Sequence, residues 1–313
     1  MTAALDLAAA IPDRRSYIGG ADIAAIAGLD PRRSALDVYL RKVGLVDEQF
    51  TSEAMDWGIH LEPVVAQAYA EREGVELERG NFWRGPREYL GGTPDYTVAA
   101  RRRGLEVKTA GYRMAHEWGD EGTDDVPERY LAQIHWYMEI TQFSRWDLAA
   151  LIGGQELRVY QFKRDADFGG TLRELAERFW RDHVLKKAPP APDGSEAARV
   201  ALCKLYPKDT RPMLPATPDL AELYANLHAA RASSDLAEGI KRSAENAIKA
   251  AIGDAAGIEG DGWRVTYKAA KDSQKVDVDA LCAHPAVAPL LERFTKTVPG
   301  SRRLLVSNNR KEK

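Results

Sequence analysis

Cysteine is scarce in this 313-residue chain. Only Cys203 and Cys282 occur, far apart and with no C-x-x-C spacing. That excludes a disulfide framework and a four-cysteine cluster, and it predicts reduced thiols in a cytosol. The six histidines form no H-x-x-x-H or comparable set, so a histidine-based metal site is not expected. No apolar run reaches membrane-spanning length. Leu5 to Ile11 is short and has no basic residue before it, so neither a signal peptide nor a membrane anchor is expected. An excess of positive charge is missing too. The net charge is −3, so any contact with a polyanion must rest on a local basic groove rather than on a global field. What remains is ordinary for a soluble globular chain: 44% hydrophobic and 29% charged residues, enough for one large domain or two modest ones.

Proline is the exception to an even distribution. Seven of the sixteen prolines fall between Pro189 and Pro218. This predicts a linker or extended arm over 188–218, dividing a domain at 1–187 from a mainly helical region with short strands at 219–313. Residues 1–16 read as a frayed start with a short helix. Gly19-Gly20 followed by Asp22 predicts a helix closed by Gly28, and Ser34 caps another that stops at Gly44. Ser52 starts a third helix, with a kink or fresh start at Glu62-Pro63. Val75–Trp83 and Glu88–Gly91 read as short strands. Tyr112–Val126, with two glycines and five acids, reads as a loop or lid. Helices follow at Pro127–Ile140 and Thr171–Lys186, with strands at Trp146–Leu151 and Glu156–Lys163 between them. Beyond the prolines, Asp219–Ile252 reads as one or two long helices. Gly262–Ala270 reads as a strand, Val278–Leu291 as helical, and Arg302–Val306 as a last strand.

The chemistry concentrates between Gly91 and Tyr137. Leu105 to Thr109 alternates apolar and polar residues, the period of a half-buried strand. Leu105 and Val107 then face a core, and Glu106 and Lys108 share the other face. Asp95 follows a Gly-Gly-Thr-Pro turn and opens a strand, Tyr96–Ala100, with Arg101–Gly104 as the hairpin loop. Any plausible register brings Asp95 within a residue or two of Glu106 and Lys108. Two carboxylates and an ammonium on one face suit a divalent metal beside a phosphate. On the helix after Pro127, Gln133 and Tyr137 are four apart and share a face. Taken singly, each of these residues has a plain structural reading: a solvated strand face, a turn aspartate, a helix–sheet contact. Trp57, Trp136 and Trp146 read as core. Trp118 reads either as packing or as a platform for an unpaired base.

The ordered set Glu62, Asp95, Glu106, Lys108, Gln133 and Tyr137 resembles the PD-(D/E)xK nuclease superfamily. More narrowly, five stretches resemble the YqaJ-type viral recombinases, relatives of the lambda-type phage exonuclease. They are Y-I-G-G-A-D-I-A-A-I-A-G-L, W-G-I-H-L-E-P, G-G-T-P-D, L-E-V-K and Y-L-A-Q-I-H-W-Y-M. The resemblance covers about Tyr17 to Lys187. It implies an α/β (α+β) core, a mixed central sheet flanked by helices. It also implies Mg²⁺, with Mn²⁺ able to substitute, on Asp95, Glu106, the Val107 carbonyl and Glu62. Lys108 would polarise the attacking water, and Gln133 and Tyr137 would orient the scissile backbone. Arg14, Arg15, Asp22 and Arg101, Arg102 and Arg103 are the candidate DNA contacts. The implied activity is 5′→3′ digestion of double-stranded DNA ends, leaving 3′ strands for a single-strand annealing partner. The implied assembly is a homo-oligomer, by preference a trimer, in a bacterial host cytoplasm. Ala21 departs from the family, which usually has Ser there, and this bears on preference for a terminal phosphate. The alternatives are a structure-specific nuclease of the iron–sulfur kind, disfavoured by the cysteine count, and a catalytically inactive DNA-binding module on the same fold.

Overall fold

The computed structural model describes residues 12–46, 52–99, 101–298, 300 and 302–306. The Leu5–Ile11 run and most of the frayed start lie outside them, and residues 14–16 form a single 3-10 turn. The chain divides into two compact units, Met1–Lys208 together with Arg302–Lys313, and Asp209–Ser301. Among the described residues, no helix is long and apolar enough to cross a membrane.

In the first unit, capping signals mark the helix starts as the sequence predicts. Helix α1 is Gly20–Ile26, and α2 is Ala35–Lys42, with the Ser34 hydroxyl accepting from the Asp37 N–H. Helix α3 is Glu53–Glu73, capped by Ser52 and closed by Gly74 in the left-handed conformation. Pro63 lies inside α3 and does not break it. A proline removes one intrahelical hydrogen bond, here the one to Ile59. Ile59 is exposed, so water can take the freed carbonyl. Only the second half of α3 packs inward, through Val65, Ala66 and Tyr69, while Trp57 in the first half is 59% exposed. Trp57 is therefore not a core residue, unlike Trp136 and Trp146, which are fully buried.

The strands follow as β1 (Leu77–Arg79), β2 (Trp83–Arg84), β3 (Gly91–Gly92), β4 (Tyr96–Val98) and β5 (Arg103–Ala110). After a 3-10 stretch at Tyr112–Glu117 come α4 (Glu128–Thr141), β6 (Arg145–Ile152), β7 (Glu156–Lys163) and α5 (Ala166–Phe179), extended by a π-helical turn at Trp180–Val184. The main sheet runs β1-β4-β5-β6-β7. Its pairs are antiparallel except β5 with β6, which are parallel and joined through α4. The fold is thus a mixed α+β sheet flanked by helices, as the resemblance implied. Leu105 and Val107 lie on one sheet face with Val65, Ala66 and Tyr69 of α3. The opposite face carries the larger core, with Ile134, Trp136, Tyr137 and Met138 of α4.

Two sequence readings change here, those of Arg103 and of Arg302–Val306, and the two readings of Trp118 reduce to one. Arg103 belongs to β5 rather than to the hairpin loop. It is buried, pairing with Asp147 and with Glu73 at 3.2 Å, while the Tyr69 hydroxyl donates to the same Asp147 at 2.6 Å. Trp118 is 5% exposed and stacks on Tyr130, so it packs and offers no open platform. Arg302–Val306 forms no strand. Within the proline-rich segment lies α6 (Glu196–Leu205), which buries Ala198 and Ala201 and packs on α2.

In the second unit, Asp219–Ile252 is one continuous helix, α7 (Pro218–Ile252), capped by the Thr217 hydroxyl, with Pro218 in its first turn. A short hairpin, β8 (Gly257–Gly260) with β9 (Trp263–Thr266), and helices α8 (Val278–Ala283) and α9 (Ala288–Phe294) follow.

Candidate active site

The β4–β5 hairpin sets the site. Tyr96 pairs with Leu105 and Thr97 with Gly104, which puts Asp95 opposite Glu106. The Asp95 carboxylate is fixed in this position because its Oδ2 accepts from the Val107 backbone N–H at 2.8 Å. Glu106 is 1% exposed. One of its oxygens, Oε1, accepts from the Gln133 side-chain amide at 2.7 Å and pairs with the Lys108 ammonium. Its other oxygen, Oε2, is buried and has no hydrogen-bond partner. A buried carboxylate oxygen without a partner is costly, and a cation is the usual remedy.

The electrostatics agree with the geometry. Burial first, and then the neighbouring Asp95 charge, push the Glu106 carboxyl up to about 8, although Lys108 opposes the rise. Glu62 is also raised, by burial and then by Asp95. Arg79 comes within 3.2 Å of Glu62 Oε1, yet that oxygen lacks a well-formed hydrogen bond. Burial lowers the Lys108 ammonium, but the charges of Glu106 and Asp95 outweigh it, so its affinity for the proton is raised and it stays charged. The Asp95 charge thus helps to raise both Glu62 and Glu106 around a single lysine. Among the described residues, no three His, Cys, Asp or Glu side chains form a ready-made metal cage. Mg²⁺ does not need one, because one or two carboxylates plus waters and a substrate phosphate complete its octahedron. Asp95 and Glu106, with the unpartnered Oε2 between fixed neighbours, fit that requirement.

Helix α4 supplies the back wall. Gln133 bridges Glu106 and the Tyr137 hydroxyl, the latter at 3.2 Å, and Tyr137 in turn donates to the Thr93 carbonyl at 3.2 Å. Tyr137 is 5% exposed and stacks on Trp146. It therefore ties α4 to the turn before Asp95. Two glycines permit this approach. A Cβ on Gly20 would sit 2.8 Å from Gln133 Cγ and 3.0 Å from the Tyr137 ring, and one on Gly92 would sit 2.8 Å from that ring.

The other residues singled out from sequence are placed less closely. The Asp22 carboxylate is taken up inside the fold by Lys42 at 2.7 Å, Arg33 at 2.8 Å and the Gly19 N–H at 3.1 Å. Burial raises its carboxyl, but Lys42 and Arg33 hold it well below the usual range. Arg14 lies close enough for its charge to act on the Tyr137 phenol, and its carbonyl accepts from Lys42 at 2.6 Å. Arg15 pairs with Asp13. Arg101 and Arg102 sit at the hairpin tip, with Arg102 donating to the Gln142 carbonyl at 2.6 Å. That tip is four or five residues along β5 from Glu106, roughly 13–17 Å at strand rise. Two contacts at the site have no counterpart in the sequence reading. Arg79 lies beside Glu62, and the Lys108 ammonium lies 5.2 Å from the centre of the Tyr130 ring. Tyr130 precedes Gln133 by three residues, so helical spacing alone places it on the same face.

Residues 11–144 match the model of the YqaJ-like viral recombinase domain, and every residue of the hairpin and α4 wall lies inside that match. This stretch of the chain is thus similar to a YqaJ-like viral recombinase domain. A curated relative, the uncharacterized protein YqaJ of Bacillus subtilis (strain 168), is 31% identical over 199 residues, covering 62% of this chain and 61% of that protein. The match therefore spans about three-fifths of the relative's length. Among solved structures, the chain is similar to an alkaline exonuclease from Laribacter hongkongensis at 14% identity and a TM-score of 0.46, covering 62% of this chain and 96% of that one. It is also similar to a phage-related exonuclease from Haemophilus somnus 129PT at 11% identity and a TM-score of 0.45, covering 55% and 96%.

Proposed function

We propose that this YqaJ-like domain is a metal-dependent exonuclease acting on the ends of linear double-stranded DNA. The observation that carries the reading is the buried, unpartnered Oε2 of Glu106 beside Asp95, with Lys108 on the same sheet face. Asp95, Glu106 and the Val107 carbonyl would hold Mg²⁺, with Mn²⁺ able to replace it and Glu62 completing the set directly or through water. When bound, the metal supplies a lowered water pKa and charge neutralisation at the scissile phosphate.

The chain's own residues do the rest. Asp95 is preoriented by the Val107 N–H and Glu106 by Gln133, so neither carboxylate has to search for its position. Lys108 stays charged, points at the same small volume, and polarises the attacking water while offsetting phosphate charge. Gln133 and Tyr137 act mainly by holding Glu106 and the Asp95 turn in place. Arg14, near Tyr137, is the candidate contact to the strand end. Digestion in the 5′→3′ direction would leave 3′ single strands for an annealing protein, and a homo-oligomer would keep a chain of net charge −3 on its substrate.

The test is digestion of a linear duplex labelled at either the 5′ or the 3′ end. With Mg²⁺, early release of the 5′ label and late release of the 3′ label is the expected result. Early release of the 3′ label reverses the polarity, and internal fragments from a closed circle reject an end-directed enzyme.

A further inference from the structure

Lys108 has a partner that it must share. Its ammonium pairs with Glu106 Oε1, but under the nuclease reading the same carboxylate also binds the metal through Oε2, and its charge is then shared between two cations. The site contains a second anchor. Lys108 Nζ lies 5.2 Å from the centre of the Tyr130 ring, within the range in which the negative face of an aromatic ring attracts a cation.

The ring itself is clamped. Trp118 stacks on it with centroids 5.6 Å apart and planes 29° apart, and Trp118 rests in turn near Tyr160 at 5.8 Å. The loop carrying Trp118 is tied down by Arg158, which donates to the carbonyls of Trp118 at 3.1 Å and Gly119 at 3.0 Å, and by the Tyr160 hydroxyl, which donates to Gly119 at 2.8 Å. Arg129 lies 4.5 Å from the centre of the same ring and pairs with Glu117 at 3.2 Å. The stretch that reads as a lid in sequence therefore braces one wall of the site.

We propose that Tyr130 is a positioning residue whose ring, held by Trp118, keeps the Lys108 ammonium at the reaction centre when the metal shares the Glu106 charge. The proposal rests on the nuclease reading and adds a residue to it. Tyr130 touches no reacting atom and acts only through Lys108.

The experiment replaces Tyr130 with phenylalanine and then with phenylalanines of increasing fluorination, which keep the shape while removing the negative face of the ring. In steady-state digestion of linear duplex with Mg²⁺, the phenylalanine variant should match wild type. The fluorinated series should lose kcat stepwise, to about tenfold at full fluorination, with KM and thermal midpoint unchanged. Lys108→Ala should abolish the trend, so that the fully fluorinated variant is no slower than phenylalanine in that background. A flat series in an active enzyme, or the same stepwise loss without Lys108, overturns the proposal. An inactive wild type instead overturns the nuclease reading, and the proposal falls with it.

Discussion

Glu106 is the residue on which the site turns, because it is buried among like charges and has one oxygen with no partner. Glu106→Gln or Asp95→Asn should abolish cleavage and weaken Mg²⁺ binding by calorimetry, with the fold retained by circular dichroism. Lys108→Ala should lower kcat by about 10²-fold or more and change DNA affinity little, as loss of one preorganised charge does. The pH dependence has a definite sign. The Glu106 carboxyl rises in the folded protein from an ordinary 4.5 to about 8, so the fold favours its protonated form. That contribution to stability is complete below about 4.5 and is lost as pH rises through about 8. In EDTA the thermal midpoint should therefore fall across this window, and Glu106→Gln should flatten the fall. Mg²⁺ binding should release a proton and strengthen toward pH 8. Most of this centre was legible in sequence, because strand alternation alone puts Glu106 and Lys108 together and the hairpin brings Asp95 opposite. Tyr130 and Arg79 were not, because a tyrosine over a lysine and an arginine beside a helix glutamate depend on packing between elements.

At the scale of elements, the site exists because α1 and the β3 turn come close enough to α4 to wedge Gln133 and Tyr137 in place. Gly20→Ala puts a methyl group 2.8 Å from Gln133 Cγ. It should cost about 1–3 kcal/mol in urea denaturation, as overpacking does, and should lower kcat by misplacing Gln133. Unchanged stability and rate would mean that the contact is slack. Capping residues made two helix starts readable: Ser34 and Ser52 both cap as their sequence context indicates. Two residues were misread, and the fresh helix start offered at Pro63 does not occur, for separate physical reasons. Pro63 is tolerated inside α3 because the turn it disrupts is exposed. Trp57 is apolar but lies on the half of α3 that leaves the core. Arg103 follows two arginines that do form the tip, and only the buried Asp147 on β6 distinguishes it from them.

At the scale of the whole molecule, the proposed site lies within residues 11–144, which match the YqaJ-like model, and Asp209–Ser301 has no part in it. Its helix α7 exposes Leu220, Leu223 and Leu236, apolar surface suited to association. Removal of residues 209–313 should therefore leave initial cleavage intact while shortening the tracts digested per encounter, as read from single-duplex digestion. Under the proposed function, one carboxylate pair and one lysine perform metal-dependent hydrolysis of DNA ends. The most direct measurement is release of acid-soluble nucleotides from uniformly labelled linear duplex by wild type, Glu106→Gln and Lys108→Ala, each with Mg²⁺ and with EDTA. Wild type should release nucleotides with Mg²⁺ and not with EDTA, Glu106→Gln should release none, and Lys108→Ala about a hundredth or less. Equal release in EDTA, or from Glu106→Gln with Mg²⁺, would contradict the proposed function.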